Sequence, residues 1–268
     1  MIDALGLSDV RRETRAAFAA VDAAREIISR GVDVSRIASK GERDIVTQAD
    51  TEAEEAIRRL LVETLGFPVV GEELGGAAPA GGKPFWLVDP LCGTKNFASG
   101  IPLYCTNLAL VENGRVSVAV IGDCSRQEIC FAEAGRGAWA IQGGSRQPLL
   151  AVPDSEVIVV EDVKAHEPRR GHVARLMAAA FTADRWDFRC LSTSVGLAYL
   201  AAGRISAYFL IYSRAVHAAA GALLAAEAGA TVTDMLGQPW TIGSDSLLAA
   251  ATPHLHADLL ELALATRH

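Results

Sequence analysis

Apolar residues in "VRRETRAAFAAVDAAREIISRG" return every three to four positions and stop at Gly31. "TQADTEAEEAIRRLLVETLG" repeats the pattern with an acidic first turn and a closing Gly66. This spacing predicts two amphipathic helices at the start of the chain. The pattern then shortens to β-like runs: "PFWLVD", followed by "TNLALVENGRVSVAVIGD", in which Glu112-Asn113-Gly114-Arg115 separates two apolar runs as a hairpin turn does. "EICFAEAGRGAWAI" predicts a further hairpin turned by Gly135 and Gly137. Beyond about Ser145 strands and helices alternate: "EVIVVED", a helix from Arg169, "RWDFRCL", a helix from Ser194, "ISAYFLIY", a helix over "RAVHAAAGALLAAEAGA", a strand "LLAAAT" and a last helix. Such alternation predicts an α/β lobe with helices covering a sheet. The chain therefore divides into an N-terminal lobe, 1-145, with helices, hairpins and the loop around Cys92, and a C-terminal α/β lobe, 146-268, carrying His217.

Composition narrows the function classes. A chain of 268 residues, half of them apolar, can bury a sizeable core. A net charge of −7, with no long basic run, argues against nucleic-acid binding, which rests on phosphate neutralisation. No apolar stretch is long enough for a membrane span and the start lacks a signal pattern, so a cytoplasmic location is expected. Five cysteines without a CxxC pair suit a reducing compartment. Cys105, Cys124, Cys130 and Cys190 read as small buried residues, and His166, His172, His254, His256 and His268 as solvated ones. The charges of "RRET" and of Arg169-Arg170 read as solvated, with contact to an acidic carrier protein as the alternative.

Candidate chemistry centres on "FWLVDPLCGTKNF". Together with "DIVTQADTEAEEAI", "VVGEE", "GRGAW" and "AAAGALLAAEAGATVTDMLGQPW", it resembles the inositol monophosphatase family in order and spacing, over nearly the whole chain. The resemblance implies an α/β (α+β) fold, a layered α-β-α-β-α sandwich, and a homodimer. It also implies a phosphomonoesterase whose magnesium ligands come from the motif D-P-[IL]-D-G-T-x-N-F, the Glu of "GEE" and the Asp of a later W-D pair. Glu72, Asp89, the Leu91 carbonyl and Thr94 are retained. Cys92 replaces the second Asp of the motif and His217 the last carboxylate, and both replaced groups serve one metal position. A substrate-contacting Glu of the family corresponds to Leu210, an apolar wall in place of an acceptor. Lys40, Asp44 and Asp50 correspond to a polar network beside the metals, and here either hold the loop or retain phosphatase function.

Magnesium wants about six oxygen ligands, so a thiol and an imidazole should abolish its tight binding at that position. Cys92 and His217 should instead lie within reach of a hydrogen bond, as a Cys-His dyad. "CGTKNF" is expected to open a helical turn whose N–H groups lower the thiol pKa, helped by an imidazolium. Gly93 and Thr94 N–H groups would then stabilise an oxyanion. Either Asp123, slightly favoured at the end of "RVSVAVIGD", or Asp89 would orient the imidazole. These substitutions resemble those of the Dieckmann cyclases of tetramic acid and pyridone biosynthesis. That likeness implies Cys92 as nucleophile, His217 as base, no cofactor, and an acyl or peptidyl carrier protein bearing a polyketide-amino acid chain as partner. Three alternatives stay open: this cyclase; a phosphomonoesterase with an altered transition-metal site of Glu72, Asp89, Cys92 and His217; and a catalytically dead scaffold. His217 also reads as a satisfied core histidine.

Overall fold

The computed structural model describes residues 7–31, 38–41, 44–152, 156–161, 169–211 and 214–267. His166 and His268, and the side chains of Lys40, Asp44, Arg169 and Arg170, lie outside the described residues. The first part of the chain runs α1 (Arg12–Ile28), β1 (Ala38–Gly41), β2 (Asp44–Val46), α2 (Gln48–Leu65), β3 (Val69–Gly71), β4 (Phe85–Cys92) and α3 (Thr94–Ala98). A meander follows, of β5 (Cys105–Glu112), β6 (Arg115–Asp123), β7 (Glu128–Glu133), β8 (Ala138–Gln142) and β9 (Ser145–Leu149). The remainder is β10 (Val157–Val160), α4 (Arg169–Thr182), β11 (Asp187–Arg189), α5 (Val195–Ala201), β12 (Ala207–Ile211), α6 (Ala215–Glu227), β13 (Thr231–Thr233), β14 (Ser246–Ala250) and α7 (Pro253–Ala265).

Local chemistry explains the element ends. Asp50 accepts the Thr47 N–H at 2.8 Å and so closes the start of α2, and Gly66, at φ 73°, ends it with its N–H on the Val62 carbonyl. Asn113 and Gly114, at φ 51° and 75°, turn the β5–β6 hairpin as expected from the sequence. Among the described residues, five strands lie where the pattern marks none: the short β1, β2 and β3, and two more, β9 and β13. β9 is a polar edge strand that pairs with β8 through the segment Ser145–Leu149, so the first sheet runs past the expected 145/146 division. β13 pairs with β14 at the other sheet's edge. An edge strand needs one hydrogen-bonded neighbour and no apolar alternation, which is why both escaped the pattern.

Alternation along the central strands assembles the layers. In the seven-stranded sheet, ordered β3-β4-β5-β6-β7-β8-β9, Trp86, Val88, Leu108, Leu110, Val118 and Val120 face a core shared with α1 and α2. Their neighbours Phe85, Leu87, Ala109, Val111, Ala119 and Ile121 face the opposite core, under α5 and α6. The other faces of α5 and α6 pack on the five-stranded sheet β11-β10-β12-β14-β13, through Leu197, Leu200, Ala218, Ala222 and Leu210. The far side of that sheet is covered by α4 and α7 through Leu176, Leu259 and Ala263. The result is the α-β-α-β-α sandwich, with α5 and α6 as its middle layer.

Three expectations on single residues are corrected. His172 and His256 are buried rather than solvated: His172 Nε2 meets the Ala263 carbonyl at 3.2 Å and His256 Nε2 meets Thr233 Oγ1 at 2.8 Å. Burial lowers both pKa values and favours the neutral ring. Cys190, expected to be buried, is exposed beside the edge strand β11.

Candidate active site

Asp89 and Cys92 are three positions apart on β4, and in a regular strand they would face opposite sides of the sheet. They do not. Asp89 pairs with Asn107 and Cys92 with Cys105, so three steps on β4 match two on β5, with a bulge at Pro90-Leu91. Proline, which lacks a ladder donor, is tolerated at such a bulge. Both side chains consequently point toward the middle helical layer, where the first turn of α6 brings His217. His217 Nδ1 lies 2.7 Å from Asp89 Oδ2. One ligand-type atom from each of Asp89, Cys92 and His217 falls within 4.8 Å of the others.

Charge in this cluster is settled by burial against pairing. Burial alone would raise Asp89, yet the hydrogen bond and charge of His217 outweigh it and hold the carboxyl below its usual range. Burial alone would lower His217, as would its place at a helix start, but Asp89 holds the imidazole well above its ordinary value. Both shifts act to the same end, favouring carboxylate beside imidazolium over the neutral pair. Cys92 departs from expectation. Contact with the Cys105 thiol, burial and the Asp89 charge push its thiol well up, and the opposing pull of His217 is smaller. Nor do the groups of α3 hold the sulfur: Ser194 does, with its N–H at 3.2 Å and its hydroxyl at 3.0 Å.

Ser194 is a site residue that the sequence pattern marks only as a helix start. It is fully buried, and its hydroxyl accepts from Asn107 Nδ2 at 2.8 Å, while the same nitrogen lies 3.5 Å from Asp89 Oδ2. Thr193 beside it donates to the Cys92 carbonyl at 2.9 Å. The cluster "STS" ahead of an apolar helix was the available signal, and nothing local connects it to Cys92.

Asp123, favoured as the third member, belongs to another group. It shares the face of Cys92 but lies two strands away, across Cys105, which corresponds to about 10 Å. Its Oδ2 accepts from the Tyr199 hydroxyl at 2.9 Å, and its Oδ1 accepts from Ser125 and Arg126. The aspartate beside the imidazole is Asp89.

Glu72 reaches the same cleft. Its Oε1 is 3.8 Å from His217 Nε2 and 3.4 Å from Arg214 Nη2. Its turn is held by the fully buried Glu54, which accepts from Glu73 N at 2.7 Å and Leu74 N at 3.1 Å and which no sequence motif singles out. Gly71 is required there, since a Cβ would stand 1.8 Å from Glu54 Oε1. The Thr94 hydroxyl lies 2.9 Å from Asp50 Oδ1 and 3.1 Å from the Leu91 carbonyl. Gly93, at φ 100°, caps α3, and a Cβ there would press on the Leu103 carbonyl at 2.8 Å. Leu210 is packed in the core among Leu197, Ala218 and Leu247 and offers little open wall.

The donor set decides how magnesium fits. Glu72, Asp89 and the Leu91 carbonyl are the hard oxygen donors that the family resemblance assigns to one ion. The second position offers a thiol and an imidazole in place of two carboxylates and does not suit magnesium.

Fold and site together define a layered α/β sandwich with a largely buried Asp89–Cys92–His217 cluster at the end of a central strand. Residues 9–267 match the inositol monophosphatase family, and the chain belongs to that family. The "Probable inositol 1-monophosphatase ImpA" of Mycobacterium tuberculosis is 31% identical, covering 92% of each chain. The "Nus factor SuhB" of Vibrio cholerae is 31% identical over 79% of this chain and 80% of its own. The extragenic suppressor protein suhB of Bartonella henselae superposes with a TM-score of 0.82 at 27% identity, covering 93% of this chain and 97% of that one. Among the described residues, no helix is long and apolar enough to cross a membrane.

Proposed function

We propose that this member of the family has exchanged two-magnesium phosphate hydrolysis for thiol chemistry, and acts as a Dieckmann-type cyclase on a carrier-bound β-ketoacyl aminoacyl thioester. The observation that supports this reading is the Asp89–His217 contact of 2.7 Å with the Cys92 sulfur in the same cluster, the arrangement in which a carboxylate orients an imidazole toward a nucleophile. With His217 in its neutral form, Cys92 attacks the thioester carbonyl as its proton passes to the imidazole, and the carrier thiol leaves with that proton. Neutral His217 then takes a proton from the carbon between two carbonyls. The carbanion attacks the Cys92 thioester, the ring closes, and the sulfur recovers its proton from the imidazolium. Gly93 and Thr94 N–H groups are the proposed oxyanion donors, and a carrier protein the proposed partner.

Similarity to proteins named inositol monophosphatase favours a second reading, a phosphomonoesterase with an altered metal at Glu72, Asp89, Cys92 and His217. The retained Thr94–Asp50 contact of 2.9 Å supports it. One experiment separates the two. Metal-free protein is mixed with an N-acetylcysteamine thioester of a β-ketoacyl amino acid and followed by intact mass spectrometry. The cyclase reading expects an acyl adduct on Cys92 and a cyclic product, both lost in Cys92→Ala. Metal-dependent release of phosphate from inositol phosphate, with an inert thioester, would establish the phosphomonoesterase. Inertness in both assays would leave the scaffold reading.

A further inference from the structure

The proposed chemistry gives no task to Cys105, which is fully buried beside the site. In the β4–β5 ladder it stands directly opposite Cys92. Residues so placed on antiparallel strands have Cα atoms about 4.5–5.5 Å apart, inside the window of about 4.4–6.8 Å that a disulfide spans. Both side chains point into the same core, under α5 and α6. There Ser194 Oγ lies 3.0 Å from the Cys92 sulfur and 3.9 Å from the Cys105 sulfur, so one hydroxyl touches both. The Cys105 thiol is also the first cause of the raised Cys92 pKa, as a thiol in contact is. Among the described residues no other strand ladder sets cysteine against cysteine: Cys130 faces Ile121 on one side and Ala140 on the other. Cys92 is 8% exposed and Cys105 not at all, so an oxidant entering the cleft meets Cys92 first.

We propose that Cys92 and Cys105 form a reversible oxidation site, in which hydrogen peroxide closes a cross-strand disulfide and a dithiol reopens it. The Cys92 thiolate attacks one peroxide oxygen and the O–O bond breaks. Cys92 is left as a sulfenic acid, and the other oxygen takes up a proton and leaves as water. The Cys105 sulfur then attacks the Cys92 sulfur, the S–O bond breaks, and the hydroxide departs with the Cys105 proton as a second water. Two thiols have lost two electrons and the peroxide has gained them. Closure stops Cys92 short of the irreversible sulfinic acid. It also occupies the sulfur that attacks the thioester, so the oxidised protein cannot transfer an acyl group. That consequence rests on the cyclase reading, while the disulfide itself does not.

The test treats full-length protein with hydrogen peroxide in mildly alkaline buffer, where more of the Cys92 thiol is ionised, blocks the remaining thiols with iodoacetamide and digests with trypsin without reductant. Cleavage after Lys95 and Arg115 puts the two cysteines on separate peptides, each without another cysteine. Mass spectrometry is expected to find these peptides joined, lighter by two hydrogens than their sum, and parted again by dithiothreitol. In Cys105→Ala, shown by circular dichroism to be folded, the link should be absent and Cys92 should proceed to sulfinic acid. Acyl transfer to Cys92 should be lost on oxidation and return with dithiothreitol in the wild type, and stay lost in Cys105→Ala. Wild-type Cys92 carried to sulfinic acid, linked to any other cysteine, or left unoxidised would overturn the site. A linked pair in protein that transfers no acyl group before oxidation removes the switching role and leaves the site. Acyl transfer without a linked pair leaves the cyclase reading and removes the site.

Discussion

Asp89 and His217 are separated by 128 positions in the chain, yet their Oδ2 and Nδ1 atoms are 2.7 Å apart. The contact joins the bulged end of β4 to the first turn of α6. It makes a charged pair of two side chains that would each be costly in the interior alone.

The first prediction separates the two candidate aspartates. Asp89→Asn removes the charge that holds the imidazole, and acyl transfer should fall by about 10²- to 10⁴-fold, the usual worth of a positioned acid-base group. Asp123→Asn should leave the rate near wild type and instead lower stability by about 1–3 kcal/mol, through weakened contacts with Tyr199, Ser125 and Arg126. Single-turnover kinetics and urea denaturation on both variants check this. The reverse assignment of losses would restore Asp123 to the site.

A second prediction concerns pH and stability. The His217 pKa is raised by Asp89, so its stabilising contribution is full below the ordinary value of 6.5 and is lost as pH rises through the folded value. Asp89 is lowered, so its share is full above 3.8 and is lost as pH falls through its folded value. The pair therefore stabilises most between those ordinary values, and the unfolding midpoint of wild type should approach that of His217→Gln as pH is raised into the alkaline range. Parallel curves for the two proteins would show that the pair is not linked to folding.

The third prediction follows from the raised Cys92 thiol, whose first cause is its neighbour Cys105. Iodoacetamide labelling of Cys92, read by peptide mass spectrometry, should be slow at neutral pH and climb on the alkaline side. Cys105→Ala should move that climb to lower pH. Unchanged labelling in Cys105→Ala would mean that burial and Asp89 set the thiol unaided.

Ser194 supports a fourth. Ser194→Ala deletes the hydroxyl donor at 3.0 Å from the Cys92 sulfur and the acceptor for Asn107. Labelling of Cys92 should slow by about tenfold, the equivalent of one charge-assisted hydrogen bond of about 1.5 kcal/mol. Equal rates would reduce Ser194 to a packing residue.

The fifth concerns the turn that carries Glu72. Glu54→Gln leaves Arg58 without its carboxylate partner at 2.9 Å and cannot accept from both Glu73 and Leu74 as the carboxylate does. A loss of about 3 kcal/mol in unfolding free energy is expected, since one partner of a largely buried pair is removed. A change below about 0.5 kcal/mol, the range of an ordinary surface substitution, would show that the turn stands by other contacts.

The order of helices and strands was legible in the chain because burial on one face or two writes a period of 3.6 or 2 into the sequence, as in α1 and in "TNLALVENGRVSVAVIGD". So was the pair of substitutions at Cys92 and His217, since a motif with fixed spacing makes a missing carboxylate visible. Tertiary structure decided the rest. Asp89 rather than Asp123 meets the imidazole because a bulge rotates the end of β4 and because two strand widths intervene, neither of which has a sequence period. The sulfur finds Ser194, 102 positions away, rather than its own helical turn. The thiol is raised rather than lowered because contact with Cys105 on the neighbouring strand, burial and the Asp89 charge outweigh the pull of His217.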